Sequence, residues 1–132
     1  MKTDGGLRSL LARNLPSFHW QSIETGGTGQ GVPDVNFCFS GVEGWIECKR
    51  AKGWVVDFAP QQIAWIERRV RAGGRVFVLV RRKGDELYVL PGTAARALLT
   101  RAETLRTIRP IALFSGGPRS WPWPEIGRIL VG

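Results

Sequence analysis

GVPDVNFCFSGVEGWIECKR, residues 31–50, decides the reading of this chain. Residues 34–39 alternate and are rich in β formers, 40–43 (SGVE) have turn character, and 44–49 alternate again. Together they read as a β-hairpin. Side chains alternate along a strand, so Glu47 and Lys49 share one face with Trp45, about 6.6 Å apart along the chain. Ile46 and Cys48 take the other face. A turn centred between Gly41 and Val42 places Asn36 opposite Glu47 and Asp34 opposite Lys49, and opposed residues project to one face. Two carboxylates and an ammonium then converge beside the glycine-rich loop. A slip of one residue would disperse them.

Working outward, residues 26–31 hold four glycines and form a loop, and 19–25 suit a strand. Leu7, Leu10, Leu11 and Leu15 recur at helical spacing until Pro16, which predicts a helix over 6–15. On the other side, Pro60 suits the first turn of a helix over 60–72, with Gly73-Gly74 as its stop and Ile63, Ile66 and Val70 as its apolar stripe. RVFVLV, 75–80, is the continuous apolar run of a buried central strand. Residues 83–85 turn the chain into a strand over 86–90. A helix over 93–100 follows, then a strand over 108–114, which Pro110 assigns to a sheet edge. A short helix is expected after Pro124. This order predicts an α/β fold, a mixed central sheet flanked by helices, in a single domain spanning 1–132.

The chain has 132 residues, 19 Lys and Arg, and 11 Asp and Glu, for a net charge of +8. Its 43% hydrophobic content argues against a disordered tail. No apolar run reaches the roughly 18 residues of a membrane span, and the first residues lack a signal peptide's apolar stretch. Cys38 and Cys48 read as reduced core thiols, so a cytoplasmic location is expected, the host cytoplasm if a phage encodes the chain. The charge is concentrated. Residues 49–83 hold ten basic side chains against Asp57 and Glu67, while basic and acidic residues balance elsewhere. Arginine dominates, and its planar fork suits phosphate. A nucleic-acid partner follows, against the plainer reading of a solvated basic face.

Asp34 and Glu47 suit a hard divalent ion such as Mg²⁺, with the Cys48 carbonyl as a further oxygen ligand. Such an ion lowers the pKa of a bound water and neutralises charge on a phosphate in transfer. Lys49 would orient the water or stabilise the pentavalent phosphate. The plainer reading of the same residues is a surface ion pair on an exposed hairpin.

The string over 31–50 resembles the core motif of the PD-(D/E)XK nuclease superfamily. With PQQIAWIERRVRAGGRVFVLVRR, 60–82, it resembles the virus-type replication-repair branch, VRR-Nuc, in its small stand-alone phage versions. The likeness spans residues 20–82. It implies a restriction-endonuclease-like α/β/α core and metal-dependent hydrolysis of DNA phosphodiesters in recombination and repair. By this resemblance Asp34 and Glu47 bind Mg²⁺ or Mn²⁺, Lys49 is the catalytic lysine, and Gln62 matches the glutamine of the following helix. The plainer role for Gln62 is a helix-border polar residue. The branch usually adds an acid from an N-terminal helix. Here Asp4 and Glu24 compete for that role, so one-metal and two-metal use both stay open. The substrate implied is branched DNA such as a Holliday junction. Cutting one symmetrically needs two active sites, hence a homodimer.

For DNA contacts we single out Thr28 and Gln30 in the glycine loop, with Arg50, Lys52, Arg68, Arg69, Arg81 and Arg82 for phosphates. Among the tryptophans, Trp54 and the Trp121/Trp123 pair are the contact candidates, whereas Trp45 and Trp65 are expected to pack. The loop lacks the P-loop pattern. Ser22 and Ser115 have no evident histidine partner, which argues against a hydrolytic triad, and His19 reads as a structural or surface residue. The alternative function is a non-catalytic DNA-binding or assembly protein on the same fold. A sequence-specific restriction enzyme is a third reading, disfavoured by the short chain.

Overall fold

Ser40 and Gly41 both take positive φ, 52° and 79°, the pattern of a two-residue type I′ hairpin turn. The computed structural model describes residues 3–24 and 31–132. In chain order it contains α1 (Leu7–Asn14), β1 (His19–Ser22), β2 (Val35–Phe39), β3 (Val42–Ala51), α2 (Pro60–Arg71), β4 (Val76–Arg82), β5 (Glu86–Pro91), α3 (Ala95–Thr100), β6 (Ala112–Phe114) and α4 (Trp123–Val131).

The six strands form one sheet in sequence order. Among the described residues only the β3–β4 pairing is parallel, so the sheet is mixed. A parallel pair needs a crossover, and α2 supplies it. Pro60 stands in its first turn. Gly73, at φ 93°, lets the chain turn back, with Gly73 N and Gly74 N donating to the carbonyls of Val70 and Arg69.

The tight turn moves the hairpin register from the expected one. Asn36 pairs with Trp45 and Val35 with Ile46, which brings Asp34 beside Glu47 rather than Lys49. The displacement is two residues, an even number, so every side chain keeps its expected face.

Helices cover both faces. Leu7 and Leu11 of α1 and Ile126 and Leu130 of α4 pack on Ile46, Cys48, Leu79 and Val89. Ile63 and Ile66 of α2 and Ala95 and Leu98 of α3 pack on Val78, Val80, Tyr88 and Leu90. β4 contributes to both clusters, as its apolar run predicts. β6 is an edge strand, and Pro110 falls before it rather than within it.

Two side-chain expectations are corrected. Trp121 and Trp123 are buried, not contact residues: their indoles donate to the carbonyls of Asp85 and Pro118, both at 2.9 Å. Pro122 and Pro124 place them at the start of α4, where an apolar ring turns inward. Cys38 is half-buried and outside both core clusters, while Cys48 is buried; both thiols are free. Trp45 and Trp65 pack edge to face at 5.1 Å, as expected.

Candidate active site

The β2–β3 ladder stops at Val35 and Ile46. The Cys48 N–H beyond it is taken by the Asp34 carboxylate, Cys48 N to Oδ2 at 2.8 Å. The Asp34 carbonyl accepts from Ile23 N at 2.8 Å. Asp34 thus ties three chain segments together.

Glu47, on β3, is only 3% exposed. Its Oε2 accepts from Gln62 Nε2 at 2.6 Å and lies 3.3 Å from Lys49 Nζ. Burial pushes its carboxyl up to about 7, and the negative charge of Asp34 adds to the rise against the pull of Lys49. Lys49 Nζ donates to Gln62 Oε1 at 3.0 Å and sits 4.6 Å from the centre of the Phe58 ring.

Gln62 is therefore the hub. Its Oε1 also accepts from Ala59 N at 2.9 Å, half of a capping box at the third position of α2. The helix start and the Glu47–Lys49 pair are held by one amide, with its oxygen facing two donors and its nitrogen facing a carboxylate. Gly31 presses on the same turn. It has φ +83°, and a Cβ there would collide with the Gln61 carbonyl.

Asp4 and Glu24 are joined by Arg8, whose charge also interacts with that of Asp34. The Asp4 carboxylate accepts from Gly6 N (2.8 Å), Arg8 N (3.3 Å) and Arg8 Nε (3.1 Å). Burial acts to raise its pKa, but those hydrogen bonds and the Arg8 charge outweigh it and hold the carboxyl below its ordinary value. Arg8 Nη1 is 3.8 Å from Glu24 Oε1, and Glu24 is exposed. Among the described residues no group of three or more His, Cys, Asp or Glu side chains gathers. Arg8 and Phe58 were missed from the sequence. The four-residue spacing of Asp4 and Arg8 signals their ion pair, whereas nothing local to Phe58 announces its position under Lys49.

The expected DNA contacts divide. Arg50 and Lys52, with Lys83, line a cleft of about 370 Å³ at the carboxyl ends of β3 and β4. Arg82 is 4% exposed and donates to the Gly53 carbonyl (2.9 Å) and Glu86 Oε1 (2.7 Å). Arg81 donates to the carbonyls of Gly84 and Gly5, both at 2.8 Å. Both guanidiniums are spent on bracing the fold, Arg82 buried and Arg81 half-buried. Arg68 and Arg69 lie in the last turn of α2, which has run back to the opposite end of the sheet, and Arg69 covers Trp45 and Trp65. Thr28 and Gln30 lie outside the described residues.

Chemically, Asp34 and Glu47 offer oxygen donors only, with a backbone carbonyl between Glu47 and Lys49. That is the donor chemistry hard divalent cations take, and a buried carboxylate beside a half-buried one favours a neighbouring cation.

No protein-family model matches the sequence, and no curated protein matches it. Among solved structures, the chain is similar to the 1.6 Å structure of Archaeoglobus fulgidus Hjc, a Holliday junction resolvase from an archaeal hyperthermophile. The TM-score is 0.50 at 14% sequence identity, over 66% of this chain and 74% of that one. The chain has the restriction-endonuclease-like fold. At that identity the likeness is one of architecture. Within the restriction-endonuclease-like fold, the parallel β3–β4 pair has its carboxyl ends beside Lys49 and the basic cleft, the usual place for a ligand in an open α/β sheet.

Proposed function

We propose that this protein is a divalent-cation-dependent DNA endonuclease of the virus-type replication-repair branch, hydrolysing phosphodiester bonds in branched DNA as a homodimer. The observation that carries the reading is the cluster of Glu47, Lys49 and Gln62, joined by hydrogen bonds at 2.6 and 3.0 Å, with the Asp34 carboxylate held beside it on the Cys48 N–H at 2.8 Å. Asp34, Glu47 and the Cys48 carbonyl would hold Mg²⁺ or Mn²⁺, which lowers the pKa of a bound water and offsets charge on the phosphate.

The chain's own groups do the rest. Lys49 has three N–H donors. Gln62 and Glu47 take two, and the third is directed at a phosphate oxygen or the attacking water. Phe58 stacks against the ammonium and confines it. Gln62 restrains Glu47 and Lys49 together, which keeps both near the geometry the reaction needs. Arg50, Lys52 and Lys83 receive the flanking phosphates at the cleft. Asp4 and Glu24 are the candidates for an additional acid.

The test is cleavage of plasmid, flap and four-way-junction DNA, with and without Mg²⁺ or Mn²⁺, by wild type, Asp34→Ala and Lys49→Ala. Cleavage by wild type with metal, reduced at least a hundredfold in both variants, is expected. Wild type that cuts nothing, or variants that cut equally well, would overturn the catalytic reading. Retained salt-sensitive binding without cutting would mark a DNA-binding protein instead.

A further inference from the structure

Trp54 is the tryptophan that stands exposed, at 37%, and its neighbour Val55 is exposed as well. It belongs to the 52–58 loop, whose two ends are fastened at the site. Lys49 precedes the loop by three residues, and Phe58 closes it against the Lys49 ammonium. The Trp54 carbonyl accepts from Leu105 N at 2.8 Å. Arg82 covers one face of the indole, its guanidinium carbon 3.5 Å from the ring. That guanidinium is fixed by Gly53 and Glu86. The exposed Arg106 also lies over the ring, its guanidinium carbon 5.6 Å from the centre, and Lys52 and Lys83 line a cleft at the end of β3 and β4.

A large aromatic ring has thus been immobilised at the surface, backed by a buried cation and rimmed by exposed ones. Backing by Arg82 accounts for the ring's position but not for the surface left open. A nucleobase offers a π-face of any sequence to such a ring, and its flanking phosphates match the cationic rim. An apolar protein partner would have to strip water from Lys52 and Lys83 without pairing them, which is costly. A base inside continuous duplex keeps both faces on its neighbours, so only an unpaired or extruded base can engage.

We infer that Trp54 is a stacking platform for an unpaired base and directs the enzyme to DNA in which duplex gives way to single strand beside the cut. Trp54 lies five positions beyond Lys49, at most about 18 Å of extended chain. That is the length of about five base pairs at 3.4 Å each. The inference rests on the nuclease reading and adds to it the substrate feature and the residue that reads it.

The experiment measures binding in EDTA, by fluorescence anisotropy, of a splayed fork and a continuous duplex of equal length. Wild type, Trp54→Ala and Trp54→Phe are compared. The preference for fork over duplex, the ratio of the two Kd values, should fall roughly 10- to 100-fold in Trp54→Ala, and Trp54→Phe should recover most of it. In wild type, a 5-iodouracil at the first unpaired positions should photocrosslink to residue 54. That readout stands even if the alanine variant fails to fold. An unchanged ratio, equal losses on fork and duplex, or a crosslink elsewhere overturns the platform. If wild type also cleaves, the nuclease reading survives that result. If wild type cleaves nothing but the ratio falls and the crosslink forms, Trp54 is a platform on a binding protein. Wild type that binds neither DNA overturns both.

Discussion

Glu47 concentrates the electrostatics of this molecule in one carboxyl. Its ordinary pKa is 4.5, and here it is about 7, because burial disfavours the charge and Asp34 repels it. Between those values the folded chain keeps a proton that the unfolded chain has released. Metal-free stability therefore falls as pH rises from about 4.5 to 7, then levels as the folded state also ionises. Glu47→Gln removes this slope. In urea unfolding without metal, the variant should match wild type near pH 4.5 and exceed it by about 3 kcal/mol at pH 8. Parallel pH profiles for the two proteins would refute the assignment. This property was half legible. The alternation placed Glu47 and Lys49 on one face, and the even-numbered register displacement preserved that, but the depth of burial depends on α2 and the 52–58 loop lying over the face.

At the scale of elements, the decisive contact is between the segment at Gly31 and the first turn of α2. Gly31 is in the left-handed region, and a Cβ would strike the Gln61 backbone, which cannot yield as a flexible side chain can. Gly31→Ala should destabilise the protein by about 1–3 kcal/mol in denaturant titration. It should also lower cleavage more than binding, because Gln62 is the next residue along that turn. A stability within 0.5 kcal/mol of wild type, about the usual scatter of neutral surface changes, would sink this account. The elements themselves were largely readable: Pro60 and Gly73-Gly74 bound α2, and the apolar run marks β4. The hairpin register was not. SGVE admits more than one turn, and the positive φ at Ser40 as well as Gly41 selects the tighter one. The Trp121/Trp123 pair misled because prolines flanking aromatic rings suit an exposed loop and a buried helix start equally well.

Across the whole molecule, the basic segment 49–83 is divided by topology. α2 runs back along the sheet, so Arg68 and Arg69 stand at the end opposite Arg50, Lys52 and Lys83. Only the second group lies at the end of β3 that carries Lys49. If both ends touched DNA equally, each charge removed would reduce the salt dependence of binding alike. The structure instead predicts that Lys52→Ala and Lys83→Ala each lower the slope of log K against log salt by about 0.9, whereas Arg68→Ala leaves it within error. Equal reductions from all three would contradict this division. The sequence by itself determined the α/β order of elements, the face on which Glu47 and Lys49 lie, and the excess of positive charge, because these follow from local periodicity and composition. Only the tertiary structure decided that Asp34 stands beside Glu47 rather than opposite Lys49, that Gln62 joins the cluster, and which arginines turn inward, because those depend on register and on the crossover that brings distant residues to the same end of the sheet.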